Sequence, residues 1–198
     1  MEGKTFESKL PEGYKKALEI DAGKGKWAVI FNVIALVVLV VVLAIVIPLA
    51  VIKNESVNIY QSPLALIIFL VSMLIYIVLH EIVHGICYKA LTKQKLTFGL
   101  KLTCAYCGVP NIFTYRKTAL ISVLAPFVVF TLVFLPLVVW AYYFDSIYFI
   151  LASILLGIHL GGCSGDLYVA YLLLFKFKAK TTLMNDTGPV MTLYIRED

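Results

Sequence analysis

Residues 79–85 read Leu79-His80-Glu81-Ile82-Val83-His84-Gly85, and they sit inside an apolar run over 63–91. As a helix, such a run is long enough to cross the ~30 Å of hydrocarbon in a bilayer. On that helix His80 and His84 are i and i+4 and share one face. An ionisable group at the centre of a membrane helix costs about 2.5–3.5 kcal/mol even on lenient insertion scales. Three of them within five residues require a compensating partner, and the H-E-x-x-H spacing specifies one. Two imidazoles one turn apart can grip a single divalent cation, with Glu81 beside it.

Working outward, apolar residues make up 61% of the 198 and charged residues only 15%, with mean hydropathy +0.93. A soluble domain carries about a quarter charged residues. Apolar segments fall at 27–52, 63–91, 118–144 and 146–175, the third with Pro126 and Pro136 as kink sites. The expected fold is an all-α membrane protein: a four-helix transmembrane bundle forming one domain over 1–198. A polar lead over 1–26 and a tail over 176–198 flank it. Within the 92–117 connection, Leu96 to Thr103 alternates loosely at period two, which predicts a small cytoplasmic strand or hairpin after the second helix.

The net charge of +5 is distributed by segment. Sixteen of the 17 basic residues lie in the lead, the 89–117 stretch and the tail, and Lys53 stands alone on the opposite side. The positive-inside rule then puts both termini in the cytoplasm of a multi-pass membrane protein. No basic stripe interleaves with stacking aromatics, so nucleic acid is not an expected partner. The lead is too long for a cleaved signal peptide, and a retained anchor is expected. Cys87, Cys104, Cys107 and Cys163 fall in helices or cytoplasmic loops, where thiols stay reduced.

A catalytic zinc needs a third protein ligand. The chain has three histidines, and Asp166 is the acid within the fourth apolar segment. At ~1.5 Å per residue, His80 and His84 lie roughly 25 and 31 Å from the outer end of their helix and Asp166 about 30 Å from its own, whereas His159 is about 20 Å down. Depth favours Asp166. His159 reads as a polar contact or a group supporting the site, and Asp186, in an Asn185-Asp186-Thr187-Gly188 turn, as a distant alternative. Gly161 and Gly165 form a G-x-x-x-G pair that permits close helix approach or local unwinding near Asp166. Cys104-Ala105-Tyr106-Cys107 is half of a metal site or a redox pair at most, and is read as two reduced thiols without essential function.

With these residues placed, the chain resembles the site-2 protease type of intramembrane zinc peptidase over its second to fourth helices. It is more closely similar to a family of small bacterial membrane zincin peptidases. The likeness lies in the H-E-x-x-H helix, Leu124-Ala125-Pro126 in the next helix and Ser164-Gly165-Asp166 in the last. The resemblance implies a bacterial cell membrane location and a Zn2+ cofactor held by His80, His84 and Asp166. It also implies Glu81 as the catalytic acid/base and a membrane protein or peptide as substrate. The rival expectation is a non-catalytic zinc-binding regulator, from which Glu81 distinguishes an enzyme, since coordination needs only the other three. A transporter using Glu81, His159 and Asp166 would need no zinc. A diiron oxygenase would need more histidines than three.

Overall fold

The computed structural model describes residues 4–53 and 63–197, so the connection after Lys53 lies outside the described residues. Five α-helices form: α1 (Gly25–Ile52), α2 (Pro63–Thr92), α3 (Arg116–Phe144), α4 (Ser146–Gly162) and α5 (Ser164–Tyr171), the last running into a π-helical turn over Leu172–Lys176. Pro63 opens α2, where its missing N–H is no loss. Asp145 alone separates α3 from α4 and caps α4 by accepting the Ile147 N–H at 2.7 Å. Three helices (α1, α2 and α3) are long and apolar enough to cross a membrane, and α4 with α5 makes a fourth span if the interrupted pair counts as one. Their outward faces are apolar too: Leu36, Val40, Leu74 and Leu132 are all more than half exposed. Water would penalise such surfaces, whereas lipid matches them.

The all-α expectation fails. Among the described residues seven strands form: β1 (Phe6–Glu7), β2 (Tyr14–Asp21), β3 (Thr97–Leu100), β4 (Ala105–Gly108), β5 (Phe113–Tyr115), β6 (Leu183–Asp186) and β7 (Val190–Arg196). Five of them make an antiparallel sheet in the order β1-β5-β6-β7-β2, and β3 with β4 makes a separate hairpin. The stretches expected as a polar lead and tail are therefore strands, paired from Tyr14↔Arg196 to Asp21↔Val190. A bulge between Lys16 and Leu18 inserts Ala17 and breaks the period-two pattern that would otherwise announce β2. β7, Val190-Met191-Thr192-Leu193-Tyr194-Ile195-Arg196, does carry the β-branched and aromatic content of a strand. Its hairpin with β6 turns at Gly188-Pro189, where Gly188 takes φ +101°, a left-handed conformation that favours glycine.

By its internal contacts the chain divides into two compact units. One comprises Met1–Ile30, Leu79–Pro126 and Gly165–Asp198, the other Phe31–Val78 and Phe127–Ser164. The first holds both sheets and a core that includes Ile20, Tyr88, Val109, Leu183, Met184 and Leu193. The second is helical. There a Cβ on Gly161 would lie 2.7 Å from the Ala35 Cα, and one on Gly157 would lie 3.2 Å from Leu39 Cδ1. Gly157 and Gly161, one turn apart, thus let α4 press onto α1. In the same unit His159 is fully buried, with Tyr76 Oη 3.0 Å from Nδ1 and Thr131 Oγ1 3.0 Å from Nε2.

Candidate metal centre

The first unit carries a titratable cluster that includes His80, His84 and Asp166. Helix α2 places His80 and His84 on one face with ring centroids 5.0 Å apart, both nearly buried. The chain breaks between α4 and α5 at Cys163, so Asp166 stands in the first turn of α5, at the positive end of that helix. Asp166 Oδ2 lies 3.4 Å from His80 Nε2 and 3.4 Å from His84 Nε2. The three ligand atoms fall within 4.8 Å of one another.

Hydrogen bonding decides which protons this cluster can carry. His84 Nδ1 lies 2.8 Å from the Ser122 carbonyl oxygen, which can only accept, so Nδ1 bears the hydrogen. Nε2 is then the ring atom turned toward the Asp166 oxygen, and when unprotonated its lone pair and the carboxylate oxygen are both donors that a divalent cation can take, so the donor set fits a metal. The spacing fits as well. Tetrahedral zinc with N and O ligands at ~2.0–2.2 Å sets neighbouring donors about 3.3–3.6 Å apart. Two imidazole nitrogens and one carboxylate are the protein complement of a catalytic zinc site that keeps one position open. The Ser122 carbonyl is the orienting partner that such a histidine needs.

Glu81 is half-buried and faces the charges of His84, His80 and Asp166, and the Cys107 backbone N–H faces its carboxylate. Cys107 belongs to β4. Lys101 N–H donates to the Cys104 carbonyl at 2.8 Å and closes the β3–β4 turn. The antiparallel ladder then turns the N–H and C=O groups of Cys107 and Ala105 outward from the hairpin. The hairpin lies close against α2 because residue 85 is glycine. A Cβ there would meet Phe98 Cζ at 2.8 Å, Leu96 Cδ1 at 3.1 Å and Cys107 Sγ at 3.3 Å.

Asp186, the distant alternative for the third ligand, makes other bonds. Its Oδ2 accepts the Tyr88 hydroxyl at 2.7 Å and its Oδ1 the Gly188 N–H at 2.8 Å. Burial lifts its carboxyl to about 6, against the pull of those two hydrogen bonds. Burial also raises the Cys104 thiol, and with the nearby Asp186 and Glu81 charges it pushes Cys107 up to about 12. Both are free thiols at neutral pH, poor nucleophiles and poor metal donors. The Tyr88 contact escaped the sequence reading, although a signal was present: Tyr88 follows His84 by four residues, on the face His80 and His84 share.

Comparison with known proteins places this chain in a family. No curated protein and no solved structure matches the chain. A family described as "Putative zincin peptidase" matches residues 73–181, from α2 to the chain just before β6, and includes His80, Glu81, His84 and Asp166. That is more than half of the chain, and the description suggests a zinc-dependent metallopeptidase: the chain belongs to the zincin peptidase family.

Proposed function

We propose that the protein is an intramembrane zinc metalloprotease of the site-2 protease kind, which hydrolyses a peptide bond of a membrane-associated substrate near the cytoplasmic leaflet. The observation that carries this is the meeting of His80, His84 and Asp166 donor atoms within 4.8 Å, with Glu81 next to His80 on a helix apolar enough to span a bilayer. His80, His84 and Asp166 would hold the zinc. When bound, zinc supplies Lewis acidity that polarises the scissile carbonyl and makes a water easier to deprotonate.

The remaining work falls to this chain's own residues. Glu81 takes a proton from the attacking water as its oxygen bonds to the carbonyl carbon. It then returns that proton to the amine nitrogen as the C–N bond breaks. Ser122 holds the His84 ring with Nε2 toward Asp166. Water must reach the site, and sixteen of 17 basic residues on one side of the spans support a cytoplasmic site with both termini cytoplasmic. A substrate helix has to unwind to expose its carbonyl. The extended segment so formed would add to the β3–β4 hairpin by main-chain hydrogen bonds. The outward N–H of Ala105 lies on the same strand edge as the Cys107 N–H that faces Glu81, which makes β4 the partner strand for that segment.

Glu81→Gln is the decisive test. Purified protein should retain its zinc and lose turnover by about 10²–10⁴-fold, the usual size of a general acid–base contribution. Unchanged processing with zinc retained would favour the non-catalytic zinc-binding regulator.

A further inference from the structure

Strand β4 reaches Glu81 only if something holds it there, and among the described residues the hairpin pairs with no third strand. Asp186 provides three ties. Its carboxylate takes the Tyr88 hydroxyl at 2.7 Å, one turn beyond His84 on α2. Its other carboxylate oxygen closes the β6–β7 turn through Gly188 N–H at 2.8 Å. Its backbone carbonyl accepts Val109 N–H at 2.8 Å. Val109 and Cys107 are two residues apart, so in extended chain their N–H groups point the same way. The donor that faces Glu81 is therefore neighbour to the donor that Asp186 fixes. Gly108, between them, packs so tightly on the turn that a Cβ would overlap the backbone of Asp186, Thr187 and Gly188. Tyr88 is fully buried and Asp186 is 5% exposed, so water does not compete for the bond.

We infer that Asp186 is a positioning residue for hydrolysis: by bonding Tyr88 of the metal helix and Val109, the residue that follows β4, it sets the strand against Glu81. This rests on Glu81 being the base. It gives the five-stranded sheet a task at the active site, although His80, His84 and Asp166 all stand on helices.

Three variants test it: Asp186→Ala, Asp186→Asn and Tyr88→Phe. Asparagine keeps the Oδ1 acceptor for Gly188 and turns an N–H toward the Tyr88 oxygen, so it should preserve the two side-chain ties that alanine removes, while the main-chain bond to Val109 stays in every variant and loosens only as the turn that carries it does. In Asp186→Ala, kcat should fall roughly ten- to hundredfold, the worth of a buried charged hydrogen bond, with KM within about threefold and zinc content unchanged. Asp186→Asn should restore kcat to within about threefold of the original, and Tyr88→Phe should fall between. Amide exchange in zinc-free protein gives a readout independent of turnover. The Cys107 and Val109 amides should exchange about tenfold or more faster in Asp186→Ala and near the original rate in Asp186→Asn. Unchanged exchange at those amides, or an Asp186→Asn as defective as the alanine variant, overturns the assignment. If Asp186→Ala does not fold, Tyr88→Phe, which removes one oxygen, decides by the same exchange measurement. Faster exchange in a protein that cleaves no peptide leaves the strand-holding role of Asp186 intact and removes the peptidase reading instead.

Discussion

Removing the Asp166 side chain should cost the protein most of its zinc affinity. Structural zinc sites with four protein ligands bind with about 10–16 kcal/mol, or roughly 2.5–4 kcal/mol for each ligand. Asp166 offers one of three donor atoms, at 3.4 Å from each histidine nitrogen, and it is the anionic one. Asp166→Ala should therefore weaken zinc binding by about 10²–10³-fold. Asp166→Asn, which keeps a carbonyl oxygen but not the charge, should weaken it by roughly ten- to hundredfold. Competition with a chromophoric chelator in detergent measures both. A second readout is thermal. Zinc at a thousand times its Kd stabilises by about 4 kcal/mol, which for a chain of this size raises Tm by roughly 8–16 °C. The original protein should show that rise and Asp166→Ala should not. His159→Ala is the control, because both of its ring nitrogens have hydroxyl partners at 3.0 Å, and it should keep its zinc. Zinc affinity within threefold of the original in Asp166→Ala, or zinc lost in His159→Ala, would refute the proposed ligand set.

The Asp186 carboxyl is lifted by burial to about 6 from an ordinary 3.8. Its folded pKa is the higher one, so its stabilising contribution is full below about pH 4 and is lost as pH rises through about 6, a difference of about 3 kcal/mol. Zinc-free protein should accordingly lose stability relative to Asp186→Asn across that window, and parallel Tm–pH curves would contradict it. Tyr76→Phe removes one of the two hydroxyl partners of His159 in the helical unit and should cost about 0.6–2 kcal/mol with no change in zinc content, read as a Tm lower by a few degrees. Gly161→Ala sets a methyl against the Ala35 backbone and should destabilise by about 1–3 kcal/mol. An unaltered Tm would show that α1 and α4 are not pressed together there.

What the sequence determined by itself is what is encoded locally. Apolar runs mark α1, α2 and α3, because length and hydrophobicity suffice to specify a helix that lipid can solvate. The i,i+4 spacing of His80 and His84 places them on one face whatever surrounds the helix. Asp166 was legible because a carboxylate in an apolar segment stands out. Its setting was not, since the break at Cys163 interrupts a run that composition reads as continuous. Only the tertiary structure decided the sheet. Tyr14 meets Arg196 across nearly the whole chain, and β2 hides its period behind a bulge. β5 and β6 have three and four residues, too short for a pattern to emerge from either. The same holds for the tie from Tyr88 through Asp186 to Val109. Such bonds join groups remote in sequence, and their strength comes from burial, which exists only once the chain has folded.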